Sequence, residues 1–204
     1  NIPVLAQLAK EGYAILSAVP SCTLMFKQEL PLMFPEDEAV QAVAAATYDP
    51  FEYLMLRHQD QHLKTDFTRA LGKISYHIPC HLRVQNIGKK TKDLLQLIPD
   101  TQVTIIERCS GHDGTWGVKR EHFSDSMKIG KPVFDQMAVP DPDYICSDCA
   151  IAARHIQQGM GNHRAQKLHP ITLLRLAYGK NQSSQPKQAA ILDSTPQNKK
   201  NMAK

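Results

Sequence analysis

Three stretches of the chain share one pattern: KISYHIPCHLR at residues 73–83, QVTIIERCSG at residues 102–111 and DYICSDC at residues 143–149. Each stretch begins with residues typical of a buried strand and then reaches a cysteine. Residues with helical spacing separate the three stretches. Strands that alternate with helices predict an α/β domain with a mainly parallel sheet and flanking helices.

The cysteines of these stretches are predicted to lie close together. Cys80, Cys109 and the pair Cys146 and Cys149 each come just after the end of a predicted strand. Because the carboxyl ends of parallel strands meet at one edge of a sheet, we expect all four cysteines on loops at that edge. The sequence therefore predicts one cysteine-lined site.

The rest of the chain divides by composition and by a weak internal repeat. GYAILSAVPSCTLMFKQE at residues 12–29 and DYICSDCAIAARHIQQ at residues 143–158 both read as strand, cysteine and amphipathic helix. We interpret residues 1–72 as the end of a degenerate upstream repeat followed by a helical connector. Residues 73–180 form the predicted cysteine-rich domain, and residues 181–204 a disordered basic tail.

Charge and apolar runs exclude several classes of protein. The 204 residues carry a net charge of +4, but residues 180–204 hold five Lys and one Asp, which accounts for all of it. The remainder is neutral, so we expect no nucleic-acid partner. No apolar run reaches the roughly 18 residues of a transmembrane helix. The chain begins with Asn rather than Met, and we expect it to be a processed product or a fragment.

The number and spacing of the cysteines indicate metal or redox chemistry. Five cysteines without a secretory signal argue against a disulfide framework and for a cytoplasmic protein. Four sulfurs suit either an iron–sulfur centre or a tetrahedral zinc. Zinc sites usually combine two short cysteine pairs, whereas Cys80 and Cys109 are isolated, and this spacing favours a cluster.

Three alternatives remain open from the residues alone. The first is a zinc-stabilised scaffold or interaction module that uses the same four cysteines. The second is a thiol–disulfide enzyme in which Cys146 and Cys149 form the redox pair. The third is that the cysteines are buried and bind nothing, which we also expect for Cys22.

The motifs resemble a known family. YHIPCH at residues 76–81, CSG at residues 109–111, GTWG at residues 114–117, the Cys146 and Cys149 pair and HPI at residues 169–171 occur in its order. The segment is similar to the cysteine-rich CCG domain of iron–sulfur oxidoreductases related to heterodisulfide reductase and to the C subunit of anaerobic glycerol-3-phosphate dehydrogenase.

The resemblance implies a cofactor and a set of ligands. It implies a 4Fe–4S cluster bound by Cys80, Cys109, Cys146 and Cys149. Ser110 replaces the second cysteine of the family's Cys-Cys-Gly triplet, so a noncubane cluster with five thiolates is not expected. We further expect Ser110, Gly111, His81 and His112 to contact the cofactor.

The resemblance also implies a function. We expect an electron-transfer subunit of an oxidoreductase system, a carrier rather than a complete catalyst. No dinucleotide fingerprint or Walker loop is present, so a flavin or nicotinamide would belong to another chain. The expected partner is a flavoprotein dehydrogenase or a peroxide-handling protein, with docking at the inner membrane through a partner.

Overall fold

The computed structural model describes residues 1–180, and the tail predicted for residues 181–204 lies outside them. The first third of the chain is mostly helical. A π-helical turn at Met25–Glu29 joins two of its helices. Its elements in chain order are α1 (Ile2–Lys10), β1 (Ile15–Leu16), α2 (Pro20–Leu24), α3 (Leu30–Met33), α4 (Glu38–Ala46), β2 (Thr47–Tyr48) and α5 (Pro50–Gln59).

The remainder alternates strands with helices, as the sequence predicts. Up to residue 180 it contains four strands and five helices. The elements are β3 (Gly72–His77), α6 (Cys80–Arg83), α7 (Lys90–Leu95), β4 (Thr101–Ile106), α8 (Phe123–Ala138), β5 (Tyr144–Ser147), α9 (Ala150–Gly159), β6 (Gln166–Lys167) and α10 (Pro170–Ala177).

These four strands form one parallel sheet. Its order is β4-β3-β5-β6, and every neighbouring pair is parallel. The prediction of an α/β fold with a parallel sheet is therefore confirmed. After β3 the chain forms β4 on one side of this strand, and it later returns to form β5 on the other side. Ligands of open α/β sheets bind at such a switch point, beyond the carboxyl ends of the strands.

Both faces of the sheet are covered by helices. Side chains from β3, such as Ile74 and Tyr76, pack against α5, α7 and α10 on one face. On the opposite face, Ile145 of β5 packs with Val133 and Met137 of α8. The alternation of side chains along each strand separates these two clusters. The sheet is therefore packed on both faces, and the loops that follow its strands project from its carboxyl edge.

One boundary differs from the prediction and moves a cysteine. Cys146 does not follow its strand: it is the third residue of β5 and pairs with Tyr76 of β3. The sequence interpretation ended the strand at Ile145, and that boundary is wrong. Inside a strand, neighbouring side chains point to opposite faces. Cys146 therefore packs into the core on the Tyr76 face and is only 1% exposed.

The first third of the chain repeats part of this architecture. β1 and β2 are parallel, and α5 begins with Asp49 and Pro50 directly after β2. In the same way, β5 and β6 are parallel, and α10 begins with His169 and Pro170. This similarity is what an internal repeat would produce. The repeat and the domain boundaries at residues 72 and 180 stay predictions.

Helix length and polarity bear on membrane attachment. Within residues 1–180, none of the helices combines the length and the apolar character that crossing a bilayer requires.

Candidate metal centre

A cavity of about 330 Å³ lies at the carboxyl edge of the sheet. It collects residues from the loops that follow β3, β4 and β5. Cys80, Cys109 and Cys149 all line it. The four residues expected to contact the cofactor line it as well, and they are His81, Ser110, Gly111 and His112.

Cys80 begins α6, immediately after the β3 strand. Pro79 precedes it in an extended conformation and supplies the start of the helix. Arg83, one turn later, donates from Nη2 to the Cys80 sulfur at 3.2 Å and from Nη1 to the Glu107 carbonyl at 3.3 Å. The guanidinium therefore links the first cysteine to the loop that carries the second.

Cys109 lies on a loop that is packed tightly against α8. The Gly111 amide donates to the Cys109 sulfur at 3.4 Å. Gly111 has a φ of +84°, and a Cβ atom there would meet the Ser126 carbonyl oxygen at 2.3 Å. The Ser126 hydroxyl donates to the Gly111 carbonyl at 2.8 Å, and His155 Nε2 lies 3.0 Å from the same hydroxyl. This close backbone contact requires glycine.

Ser110 and His112 form a pair on the cavity wall. Ser110 is 3% exposed, and its Oγ lies 2.8 Å from His112 Nδ1. Burial, together with the nearby His155, lowers the pKa of His112. The imidazole ring is therefore neutral at physiological pH, which is the form that binds metals.

His77 connects the loops of all three cysteines. It is 1% exposed, and its Nε2 donates to the Arg108 carbonyl at 2.8 Å. Because a carbonyl can only accept, Nε2 carries the ring proton, and Nδ1 accepts from the Ser147 hydroxyl at 3.1 Å. Ser147 Oγ in turn accepts from the Cys149 amide at 3.4 Å. His77 therefore couples the end of β3 to the Cys109 and Cys149 loops.

The buried position of His77 makes stability depend on pH. Burial lowers its pKa from 6.5 to about 4, so the unfolded chain takes up a proton first as the pH falls. The contribution of His77 to the free energy of unfolding is complete above pH 6.5. It falls by about 2 to 3 kcal/mol as the pH decreases to about 4. Urea unfolding of the cofactor-free protein should show this loss, and His77→Gln should reduce it.

The unmodified protein and the His77→Gln variant are compared by their free energies of unfolding at each pH, which isolates the contribution of this histidine. Asp49 and Asp148 have a pKa raised to about 6 by burial, so their contributions change in the opposite direction and are common to both proteins. A His77→Gln variant whose stability runs parallel to that of the unmodified protein between pH 7 and pH 4.5 would contradict the assignment.

Cys149 is held from both sides of its turn. Ser147 is bonded to His77 on one face of the sheet. On the other face, the Asp148 carboxylate accepts from the Tyr76 hydroxyl at 2.5 Å and from the Thr91 hydroxyl at 2.9 Å. Asp148 is 4% exposed. The peptide that carries Cys149 is therefore fixed before α9 begins.

The fourth predicted ligand lies away from this cavity. Cys146 does not line it and belongs to the apolar core under the turn. Burial raises the pKa of its thiol. Cysteine ligation by the predicted set stays a prediction, and the structure brings together Cys80, Cys109 and Cys149 but not Cys146.

Several supporting residues were not assigned a role from the sequence. His77, Asp148, Ser126 and His155 act through tertiary hydrogen bonds that no local pattern predicts. A weak signal existed for two of them. His77 precedes Cys80 by three residues in an apolar strand, and Asp148 precedes Cys149, and buried polar residues of this kind need partners.

Thiols are the main potential metal ligands of this cavity. Among residues 1–180, no group of three or more His, Cys, Asp or Glu side chains is arranged around one metal ion. Three thiols around a cavity of about 330 Å³ instead leave room for a larger inorganic group. Thiolates are the ligands by which proteins bind iron–sulfur clusters.

The fold and the cavity define the class of this protein. It is a cysteine-rich α/β protein, in which the ends of parallel strands bring thiols together around one cavity. Comparison with known protein families identifies the family. The family model described as a cysteine-rich domain, CCG, matches residues 74–156.

Relatives extend the match beyond the cysteine-rich segment. The C subunit of anaerobic glycerol-3-phosphate dehydrogenase from Escherichia coli is 35% identical over 171 residues, which cover 82% of this chain and 41% of that protein. Lactate utilization protein A of Lysinibacillus sphaericus is 30% identical over 175 residues, 80% of this chain and 71% of that protein. An uncharacterized iron–sulfur protein of Methanocaldococcus jannaschii is 32% identical over 90 residues, which cover 43% of this chain and 18% of that protein.

The chain belongs to the CCG cysteine-rich domain family, together with these relatives. The resemblance stated from the sequence motifs is thereby confirmed. The chain spans about two fifths of the length of the Escherichia coli relative (41%).

Proposed function

We propose that this protein is an iron–sulfur electron carrier of an oxidoreductase system. The observation that carries the proposal is the cavity in which Cys80, Cys109 and Cys149 meet. A bound cluster supplies one-electron transfer at a potential that its protein surroundings set. A 4Fe–4S cluster is the form proposed, and Cys146, although part of the predicted ligand set, is not required by this proposal.

The surroundings of the three sulfurs support electron transfer. The Arg83 guanidinium and the Gly111 amide both donate hydrogen bonds to cysteine sulfur. Donors to sulfur stabilise additional negative charge and so raise a reduction potential. Cys80 and Cys109 are exposed, and a centre between them lies close enough to the surface for a partner's cofactor to approach.

The name of one relative supports a proposal for the partner. The name of one relative is that of a subunit of a glycerol-3-phosphate dehydrogenase. We propose that this chain likewise serves a dehydrogenase, with a flavoprotein as electron donor and a peroxide-handling protein as the alternative partner. A cytoplasmic position, with docking at the inner membrane through the partner, is part of the same proposal.

Anaerobic purification tests the cofactor directly. We expect a brown protein with about four iron ions per chain and an EPR signal that appears or changes on reduction with dithionite. Iron, zinc and acid-labile sulfide are measured on the same sample, before and after reconstitution with iron and sulfide.

Two results would overturn the proposal. A colourless protein with about one zinc ion per chain would make this centre structural, as in the zinc scaffold considered from the sequence. A protein that binds neither metal after reconstitution, while folded by circular dichroism, would leave the cavity without a redox role.

A further inference from the structure

Positive charge is concentrated in the two segments that carry Cys80 and Cys109. Residues 79–90 follow β3 and residues 107–122 follow β4, and together they hold six Lys or Arg and three Asp or Glu, a net charge of +3. Residues 1–179 as a whole are neutral, so the other residues of this part carry the opposite charge. The candidate centre therefore lies where the chain is locally basic.

Four exposed cations of these segments surround the opening of the cavity. We call them the basic rim, and they are Arg83, Arg108, Lys119 and Arg120. The first contacts the Cys80 sulfur at 3.2 Å, and the second directly precedes Cys109 in the chain. The other two follow Trp116, which lines the cavity, and the Lys119 amide donates to the Trp116 carbonyl at 3.2 Å.

Acidic side chains do not neutralise the basic rim. Among residues 1–180, none of the ion pairs includes a member of the rim. Glu107 pairs with Lys89 instead, which leaves Asp113 and Glu121 as the other acidic residues of the two segments. Two carboxylates do not offset four exposed cations, so the rim presents a positive field to the solvent.

Exposed apolar side chains accompany these cations. Val84, Val118 and Ile129 are each more than half exposed. Val84 follows Arg83 and Val118 precedes Lys119 in the chain, while Ile129 lines the cavity itself. A small anion would use only the charges, whereas a protein surface also covers apolar groups. Cations and apolar side chains around one opening therefore fit a macromolecular partner.

We infer that the basic rim is the surface on which the redox partner docks, and that the partner presents an acidic face to it. This inference rests on the proposed function. Opposite charges steer two proteins together and orient them, and redox encounters need only a small interface. The partner's cofactor is thereby brought over the exposed Cys80 and Cys109, where one electron lost by the reduced centre is gained by the oxidised one.

Oxidation of the reduced, cluster-loaded protein by two cobalt complexes tests the charge of the rim. Tris(oxalato)cobaltate(III) is triply negative, tris(ethylenediamine)cobalt(III) is triply positive, and each takes one electron from the centre. The ratio of the two rate constants, anionic over cationic, cancels a change in reduction potential that affects both reactions alike. We expect this ratio to fall by about fivefold when the ionic strength is raised from about 50 mM to about 500 mM.

A double variant assigns this effect to the rim. Lys119→Gln/Arg120→Gln removes two rim charges and keeps the two that lie beside the cysteines. At the lower ionic strength it should lower the ratio by about threefold or more. The matched control is Lys10→Gln/Lys73→Gln, which removes the same charge from exposed residues of α1 and of the amino end of β3. The control should keep the ratio of the unmodified protein.

Poly-L-glutamate tests whether an acidic macromolecule occupies the rim, and this measurement needs no cofactor. Cys80 and Cys109 are exposed, and in the cofactor-free protein iodoacetamide, a neutral reagent, should alkylate both. The polymer should slow this alkylation by about threefold or more, whereas free glutamate at the same carboxylate concentration should not. Protection, measured for each thiol by peptide mass spectrometry, should be lost in Lys119→Gln/Arg120→Gln and kept in the control.

The outcomes separate this inference from the proposed function. A cluster-loaded protein whose ratio of rate constants does not depend on salt, or whose two double variants behave alike, overturns the inference and leaves the electron carrier intact. Equal protection of the thiols by the polymer and by free glutamate overturns it as well. A folded protein that binds no iron overturns the proposed function, and the inference falls with it.

Discussion

Replacing Cys149 by alanine is expected to remove the cluster, whereas replacing Cys146 by alanine is expected to leave it in place. Cys149 lines the cavity with Cys80 and Cys109, but Cys146 is 1% exposed in the core, on the face of β5 that packs against Tyr76. Iron in Cys149→Ala should fall from about four ions per chain to below about one, together with the EPR signal.

The two substitutions are matched in chemistry and lie three residues apart. Cys146→Ala deletes one buried atom and should cost about 1 kcal/mol of stability, which urea unfolding of the cofactor-free proteins can check. Loss of iron in a folded Cys146→Ala variant would restore Cys146 to the ligand set. The turn after β5 would then have to rearrange when the cluster binds.

Replacing Gly111 by alanine is expected to destabilise the cofactor-free protein by about 3 kcal/mol or more. A Cβ atom at this position would lie 2.3 Å from the Ser126 carbonyl oxygen and 2.8 Å from the Gly130 nitrogen, both backbone atoms of α8. Neither can move without bending the helix. The positive φ of Gly111 adds backbone strain.

Gly114→Ala provides the matched control within the same loop. Gly114 also has a positive φ, but nothing lies within 4 Å of the position its Cβ would take. Only backbone strain remains, and the expected cost is about 1 kcal/mol. Urea unfolding compares the two variants. Equal costs for the two substitutions would mean that the contact with α8 does not hold the Cys109 loop.

Much of the fold was readable because its signals are local. Apolar strands at residues 73–78 and 102–107 lie within one residue of β3 and β4. Helix α9 has the predicted bounds, Ala150–Gly159, because an amphipathic pattern follows directly on a cysteine turn. Strand β1 lies within the strand that the sequence predicts after Gly12, whereas β2 had no such signal, since two residues are too few to show a period.

The same reasoning predicted that cysteines distant in the chain would lie close together. Parallel strands must end at one edge, so residues just after them must converge, and Cys80, Cys109 and Cys149 do line one cavity. Only the strand end at Cys146 was wrong: this residue lies inside β5 and packs into the core, and its role as a ligand stays a prediction. Because side chains alternate between the two faces of a strand, an error of one residue in the strand boundary moves a side chain from one environment to another.

The sequence by itself determined the α/β class, the parallel sheet and the family, because periodicity and motif order are properties of neighbouring residues. Only the tertiary structure decided which thiols share a cavity, and it did so through contacts between residues distant in the chain. His77 joins three loops, Asp148 anchors the Cys149 turn, and Ser110 holds His112. Hydrogen bonds of this kind depend on where the packed sheet places each strand end, and no local pattern encodes that.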